Sequence, residues 1–226
     1  MGAGPEPLTR AVQHSARVPG AQPFDAAASR AAGGTGELAA WIAGCSGAVP
    51  PRVAEHLVVA EAHSAGRALP TVGHVARAVD EGRDRAAAAR AADLTLLVIA
   101  GPGDAAVVAR LTGWLSGTTA EPEVRGPLGA LYRLGDEALA VLCGVALGAG
   151  EHGLALLCDG PAGTTAAALA LAVQPELRPR LRVAGERADT DTAALRAQLG
   201  LPAVRGEDAD GDYEAAVAAL RRACGQ

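Results

Sequence analysis

Two glycine-containing segments each follow an apolar run in the sequence and contain an aspartate. Both have the composition of a ligand-binding turn. The first is Gly101-Pro-Gly-Asp104, and the second is Asp159-Gly160 followed by the hydroxyls of Thr164 and Thr165. Glycine lets a ligand approach the backbone closely, and the unpaired amides at a helix start attract an anion. The Asp159 carboxylate also suits a ribose hydroxyl. We therefore expect an anion or nucleotide crevice with these binding residues: Gly101, Gly103, Asp159, Gly160, Thr164 and Thr165.

Each segment also has a purely structural interpretation. Asp104 can be the N-cap of the helix that follows it, where its charge would compete with a bound phosphate. Thr164 or Thr165 can likewise be the N-cap of the alanine-rich helix that ends at Val173. The residues alone leave both interpretations open.

Two further polar residues, His63 and Arg187, each follow another apolar run and extend the candidate site. Arg187 can form two hydrogen bonds to a phosphate or a carboxylate. Because the sequence contains no lysine, any side-chain cation that holds an anion must be an arginine. His63 is a candidate base or hydrogen-bond donor, with a structural histidine as the alternative. A run of nearby arginines is typical of a solvated surface: Arg178, Arg180 and Arg182.

Apolar runs that alternate with helical segments must position these side chains. The predicted strands are His56–Glu61, Leu94–Ala100, Gly153–Cys158, Leu181–Ala184 and Pro202–Val204. Continuous apolar strands indicate a parallel sheet that is covered on both faces. We expect an α/β fold with a doubly wound, mostly parallel sheet and helices on both faces, a three-layer, Rossmann-like arrangement. Ligands bind such sheets beyond the carboxyl ends of the strands, where the candidate segments lie.

The composition excludes several classes of protein. Half of the 226 residues are apolar, so burial can offset the entropy of ordering and disorder is not expected. A net charge of −5 and only 2% aromatic residues argue against nucleic-acid binding. The four cysteines have no CxxC spacing, which favours buried or incidental thiols over disulfides or a metal site. No motif calls for a cofactor or a metal.

The chain divides into an expected flexible arm, residues 1–23, and one α/β domain, residues 24–226. The arm is rich in glycine, proline and arginine and lacks the apolar core of a signal peptide. The longest apolar run, Ala138–Ala149, is too short to cross a bilayer. We expect a cytoplasmic protein with no membrane partner.

The same segments resemble the family of nicotinate-nucleotide:dimethylbenzimidazole phosphoribosyltransferase, the CobT family of cobalamin biosynthesis. Gly126-Pro-Leu-Gly, with the helix that follows Glu137, is similar to the family's "DPL…LGG.EIAALAGAILGAA". Leu156-Leu-Cys-Asp-Gly160 with Thr164-Thr165 is similar to "LLDGFISTAAA". Gly185-Glu-Arg187 stands where the family has Ser-His-Arg, and the strand before His63 is similar to "VVFAADHG".

The resemblance implies a transferase that moves phosphoribosyl from nicotinate mononucleotide to an aromatic base, with Asp212 as the general base and Glu207 as the nearest alternative carboxylate. It also implies a homodimer. The small-residue helix Ala138–Ala149 could pack closely at such an interface or, as we expect, inside the monomer.

By this resemblance the chain is a shortened member of the family, and several of the family's motifs are degenerate in it. The family loop "GEMGIGNTT" is reduced to Gly101-Pro-Gly-Asp104, and a lysine-containing block near residues 113–126 is absent. Two hypotheses follow from these departures. The chain is either a compact phosphoribosyltransferase or a non-catalytic relative that binds a nucleotide or a partner chain.

Overall fold

The computed structural model describes residues 33–47, 59–61, 71–101, 103–121, 123–184, 190–204 and 213–223. The arm expected at residues 1–23 lies outside these ranges.

A parallel sheet forms the centre of the described structure. Its four strands are β1 Val59–Glu61, β2 Leu96–Ala100, β3 Ala155–Cys158 and β4 Leu181–Val183, and they lie side by side in chain order. The register pairs Glu61 with Ala100 and Ile99 with Cys158. The carboxyl ends of β1, β2 and β3 therefore meet at one edge of the sheet. Parallel pairing along continuous apolar runs confirms the α/β sheet predicted from the sequence.

Helices surround the sheet in the described ranges. Their bounds are α1 Gly33–Ser46, α2 Val72–Ala91, α3 Ala105–Ser116, α4 Pro127–Leu134, α5 Glu137–Glu151, α6 Gly160–Val173, the 3₁₀ helix Pro175–Arg180, α7 Thr190–Leu199 and α8 Tyr213–Ala223.

Alternating side chains of β2 point into two separate cores. Leu97 and Ile99 belong to a cluster with buried residues of α2 to α6, whereas Leu96 and Val98 pack in a cluster with residues of α1 and α8. Successive strand residues face opposite sides, so a fully apolar strand needs a cover on each face. The layers predicted on both faces of the sheet are thus present.

Three element boundaries differ from the sequence-based expectations. Helix α6 begins at Gly160 rather than near Thr164, and α3 continues past Leu111 to Ser116. The stretch predicted as the strand Pro202–Val204 forms only an isolated parallel bridge, between Ala203 and Val183. Of the predicted strand His56–Glu61, the described part is β1.

The arginines around the start of β4 are not simply a solvated surface. Arg180 is 2% exposed, and its Nη1 donates to the carbonyl of Cys45 at 2.5 Å. The Arg182 guanidinium lies 5.1 Å from the centre of the Trp41 ring. The expectation is wrong for Arg180 because the end of α1 packs over it and uses its charge; Arg178 is exposed as expected.

Helices α2 and α5 run in the same direction in direct backbone contact. A Cβ on Gly144 would lie 2.8 Å from the carbonyl carbon of Val79, and one on Gly82 would lie 2.6 Å from the amide nitrogen of Val145. Arg83 Nη2 lies 2.8 Å from Glu151 Oε1 and ties the two helices together. Helix α5, which contains the small-residue stretch Ala138–Ala149, therefore packs inside the monomer, as expected.

Replacing Gly144 with alanine should destabilise the protein. The new methyl group would press on the Val79 backbone, and overpacking of this kind costs about 2 kcal/mol. Gly44→Ala is the matched control, because no atom lies within 4 Å of a Cβ there and alanine favours the helix by about 0.5–1 kcal/mol. Urea unfolding of both variants tests this contact. Equal stability of the two variants would contradict it.

The cysteines within the described residues are free thiols in the interior: Cys45, Cys143 and Cys158. Burial raises the pKa of the Cys45 thiol to about 11, although Arg180 and Arg182 lower it in part. Burial alone raises the pKa of Cys143 to about 12. The expectation of buried thiols is confirmed for these three residues; Cys224 lies outside the described ranges.

A Cys224→Ser variant should resist alkylation by iodoacetamide at pH 8 and react at three thiols once guanidinium unfolds it. The native thiols are shielded and protonated, and the thiolate is the reactive form. The raised pKa values hold the thiols neutral in the folded state. Their contribution to stability is complete below the ordinary pKa of 9.0 and is lost as the pH rises through about 11 to 12. Rapid labelling of the native variant would contradict the burial.

Within the described ranges, no helix combines the length and the apolar character needed to cross a membrane.

Candidate active site at the carboxyl ends of the strands

The two glycine-containing segments meet at the carboxyl edge of the sheet because β2 and β3 are neighbours. The Asp159 amide donates to the carbonyl of Ile99 at 2.9 Å, and the Ala162 amide donates to the carbonyl of Gly101 at 3.2 Å. The first turn of α6 is thus bonded to the chain that leaves β2. The structure brings together Gly101, Gly103, Asp159 and Gly160, as predicted from the sequence.

Glycine is required here for close backbone contact. Gly160 has φ +64°, and a Cβ on it would lie 2.8 Å from the Gly101 carbonyl oxygen. Gly103 also has φ +64°, and a Cβ on it would lie 2.9 Å from Val108 Cγ2. A Cβ on Gly103 would also lie 3.0 Å from Ala162 Cβ, so both glycines pack the two segments onto each other.

Asp104 acts as the N-cap of α3. Its Oδ1 accepts hydrogen bonds from the Ala106 amide at 2.9 Å and the Val107 amide at 3.1 Å. The structural interpretation of Asp104 is therefore confirmed. These two amides are already satisfied by a carboxylate, so the start of α3 is a poor place for a phosphate.

Asp159 differs from the other acidic caps. It occupies the N-cap position of α6, yet its carboxylate forms no capping hydrogen bond there. Asp104 and Asp136, by contrast, both accept helix amides with their side chains. The Asp159 carboxylate is therefore not committed to holding the helix start.

Thr164 and Thr165 lie inside α6 and are buried, with 0% and 1% exposure. The prediction that one of them is the N-cap is wrong, because Pro161 fits the first turn and the helix has already begun at Gly160. Thr165 Oγ1 lies 3.0 Å from Thr112 Oγ1 of α3, and Arg196 Nε donates to Thr164 Oγ1 at 3.4 Å. Their hydroxyls join α6 to α3 and α7 beneath the site.

Arg196 is a residue that the sequence analysis missed. It lies on α7 and is 8% exposed. Thr192, four residues earlier, is 2% exposed and faces the same way. The signal in the sequence was the i, i+4 spacing of Thr192 and Arg196 beside the apolar Leu195, which places the arginine on the buried face of a helix.

The end of β3 is electrostatically coupled to this site. Burial raises the pKa of the Cys158 thiol to about 12, while the Arg196 charge lowers it and the Asp159 charge raises it. The charges of Arg196 and Asp159 therefore both act on the last residue of β3. The thiol itself is too protonated to act as a nucleophile at neutral pH.

Four predicted site residues lie outside the described residues: His63, Arg187, Glu207 and Asp212. Helix α8 begins at Tyr213, directly after Asp212. Among the described residues, no group of three or more His, Cys, Asp or Glu side chains could hold a metal ion.

A family model matches part of the chain. Residues 105–207, which include Asp159 to Thr165 and Arg196, match the family model described as phosphoribosyltransferase. This match confirms the resemblance to a phosphoribosyltransferase family that the sequence predicts. No curated protein matches the chain in sequence.

Solved structures show that the fold is that of CobT. CobT from Thermus thermophilus matches 96% of this chain and 94% of its own, with 20% identity and a TM-score of 0.66. A structure described as nicotinate-nucleotide-dimethylbenzimidazole phosphoribosyltransferase, from the same organism, matches 99% of this chain and 94% of its own, with 20% identity and a TM-score of 0.68. At 20% identity the likeness establishes the fold alone.

Replacing Gly160 with alanine should separate the two segments of this site. Gly117→Ala is a matched control, since Gly117 has φ +74° but open space where its Cβ would lie. In both variants alanine is strained at a positive φ, which should lower the free energy of unfolding by about 1–2 kcal/mol. Gly160→Ala also presses on the Gly101 carbonyl and should lose about 1–3 kcal/mol more in urea unfolding. An equal loss in the two variants would show that the segments do not touch.

Proposed function

We propose that the chain transfers the phosphoribosyl group of nicotinate mononucleotide to an aromatic nitrogen base such as dimethylbenzimidazole. The observation that carries this proposal is the direct contact between the segments Gly101–Asp104 and Asp159–Thr165, at the edge where α/β sheets bind ligands. The family match over residues 105–207 and the CobT fold support it.

In this proposal the Asp159 carboxylate accepts a hydrogen bond from a ribose hydroxyl, beside the backbone of Gly101, Gly103 and Gly160. Thr164 and Thr165 support this edge from below through their bonds to Arg196 and Thr112.

The phosphate requires a different partner. The Asp104 carboxylate already accepts hydrogen bonds from the first amides of α3, and its charge would repel a phosphate dianion there. We therefore assign the phosphate to Arg187, whose guanidinium can form two charge-assisted hydrogen bonds to it.

The reaction needs one general base. A ring nitrogen of the acceptor base attacks C1′ of the ribose, the bond from C1′ to the nicotinate nitrogen breaks, and nicotinate leaves with that electron pair. The proton on the attacking ring passes to a carboxylate. We propose Asp212, which directly precedes α8, with Glu207 as the alternative. His63 stands two residues after Glu61, whose strand partner is Ala100, and we propose it as a hydrogen-bond donor to the substrate.

The biological setting follows from the same proposal. The ligands are a small-molecule nucleotide and an aromatic base in cobalamin biosynthesis, and nucleic acid is not a partner. The buried free thiols support a reducing compartment, for which we propose the cytoplasm. We propose a homodimer on the resemblance alone, and α5 is not its interface, because the helix is already covered within the chain.

The purified protein should release nicotinate from nicotinate mononucleotide when dimethylbenzimidazole is present, and Asp212→Asn should slow this release. Loss of a general base costs about 10²–10⁴-fold in rate. Chromatography of nicotinate and of the ribosylated base measures both products. Asp210→Asn, a carboxylate in the same segment, is the matched control and should retain the wild-type rate, while Glu207→Gln tests the alternative base.

The outcome also separates the two hypotheses. Nicotinate mononucleotide that binds without release of nicotinate, with any azole or purine base, would contradict the transferase and indicate a non-catalytic nucleotide-binding relative. Equal rates for wild type, Asp212→Asn and Glu207→Gln would contradict the assignment of the base.

A further inference from the structure

A pair of buried hydroxyl groups joins α3 to α6 beneath the candidate site. Thr112 Oγ1 of α3 lies 3.0 Å from Thr165 Oγ1 of α6, and the two residues are 3% and 1% exposed. The other buried residues of α3, Val108 and Leu111, are apolar. The hydrogen bond between the threonines is therefore a polar contact set among apolar ones.

A hydrogen bond between two hydroxyls limits how far one helix can slide along the other. Apolar side chains attract each other without a preferred direction, so their contacts tolerate small shifts between helices. A buried hydroxyl that loses its partner is left without a hydrogen bond, which is unfavourable. The bond between Thr112 and Thr165 thus favours one register of α3 on α6.

The register of the two helices also sets the spacing of the two glycine segments. Val108 lies one turn before Thr112, and Ala162 lies one turn before Thr165. Gly103 packs between them, because a Cβ on it would lie 2.9 Å from Val108 Cγ2 and 3.0 Å from Ala162 Cβ. This contact is one helical turn, about 5 Å, from the hydroxyl pair. A shift of α3 along α6 would open it.

We propose that Thr112 and Thr165 are positioning residues. Their hydrogen bond sets the register of α3 on α6, and that register holds the segments Gly101–Asp104 and Asp159–Thr165 at the spacing that the nucleotide needs. The part of this proposal that concerns the nucleotide rests on the proposed function. The effect on the spacing does not, and it can be tested in the ligand-free protein.

Substitution by valine removes the hydroxyl and keeps the shape of threonine. Thr112→Val leaves the Thr165 hydroxyl without this partner, so the midpoint of thermal unfolding should fall. The double variant Thr112→Val/Thr165→Val removes both hydroxyls and should recover most of that loss. Midpoint shifts that simply add would overturn the proposal. Thr95→Val is the matched control, since Thr95 is buried and lies directly before β2, at the opposite end of the sheet.

Hydrogen–deuterium exchange of the ligand-free double variant reports the spacing of the segments. The Ala162 amide donates to the Gly101 carbonyl across the two segments, so its exchange measures how often they separate. This amide should exchange about five- to tenfold faster in the double variant than in wild type, the equivalent of one hydrogen bond. Thr95→Val should leave its exchange unchanged. Equal exchange at Ala162 in the double variant and wild type would overturn the proposal.

Calorimetric titration with nicotinate mononucleotide tests the role at the site. The double variant should bind it about tenfold more weakly than wild type despite a similar thermal midpoint, and Thr95→Val should bind like wild type. Thr112→Ser keeps the hydroxyl, so it should also bind like wild type, although the lost methyl group lowers its midpoint.

Two results of the titration would overturn the positioning role. One is an affinity of the double variant equal to that of wild type, and the other is an equal loss of affinity in Thr112→Ser and Thr112→Val. If wild type itself does not bind the nucleotide, the proposed function fails, and exchange at Ala162 still decides whether the hydroxyl pair sets the spacing of the segments.

Discussion

The site depends on the contact between the chain that leaves β2 and the first turn of α6. The Ala162 amide donates to the Gly101 carbonyl, and Gly160 leaves no space between the two backbones. Parallel pairing of β2 with β3 makes this contact possible, because it brings both carboxyl ends to one edge. The backbone is therefore fixed before any side chain acts, and the Asp159 carboxylate projects from a rigid turn rather than from a free loop.

Beneath this edge, a polar junction replaces the aliphatic packing used elsewhere. Two side-chain hydrogen bonds form this junction. One joins Thr112 of α3 to Thr165 of α6, and the other joins Arg196 of α7 to Thr164 of α6. The contact of α2 with α5 has the opposite character, since glycines let their backbones touch. The glycine contact holds α2 against α5, and the polar junction holds α3, α6 and α7 together beneath the candidate site. The Asp104 carboxylate caps α3, so the phosphate of the proposed substrate would need another partner.

The sequence predicted the parts of the fold that follow from local pattern. Continuous apolar runs located β2, β3 and β4, and Asp104 was recognisable as a cap because aspartate at a helix start bonds the next amides. The start of α6 was misplaced because a hydroxyl pair looked like a cap, whereas Pro161 allowed the helix to begin earlier. The burial of Arg180 could not be predicted from local pattern, since it depends on the packing of α1 over it. For Arg196 the spacing from Thr192 was a local signal, but a weak one. The assignments of His63 and Arg187 remain predictions from the residue pattern, and those of Glu207 and Asp212 remain predictions from the resemblance.

Hydrogen–deuterium exchange in the presence and absence of nicotinate mononucleotide tests the central claim most directly, because it reports where the nucleotide binds. We expect slower exchange in peptides that cover residues 101–104 and 159–163, and no change in α2, whose backbone packs against α5. Exchange that is unchanged in both segments at saturating nucleotide would contradict a nucleotide site at the carboxyl ends of β2 and β3.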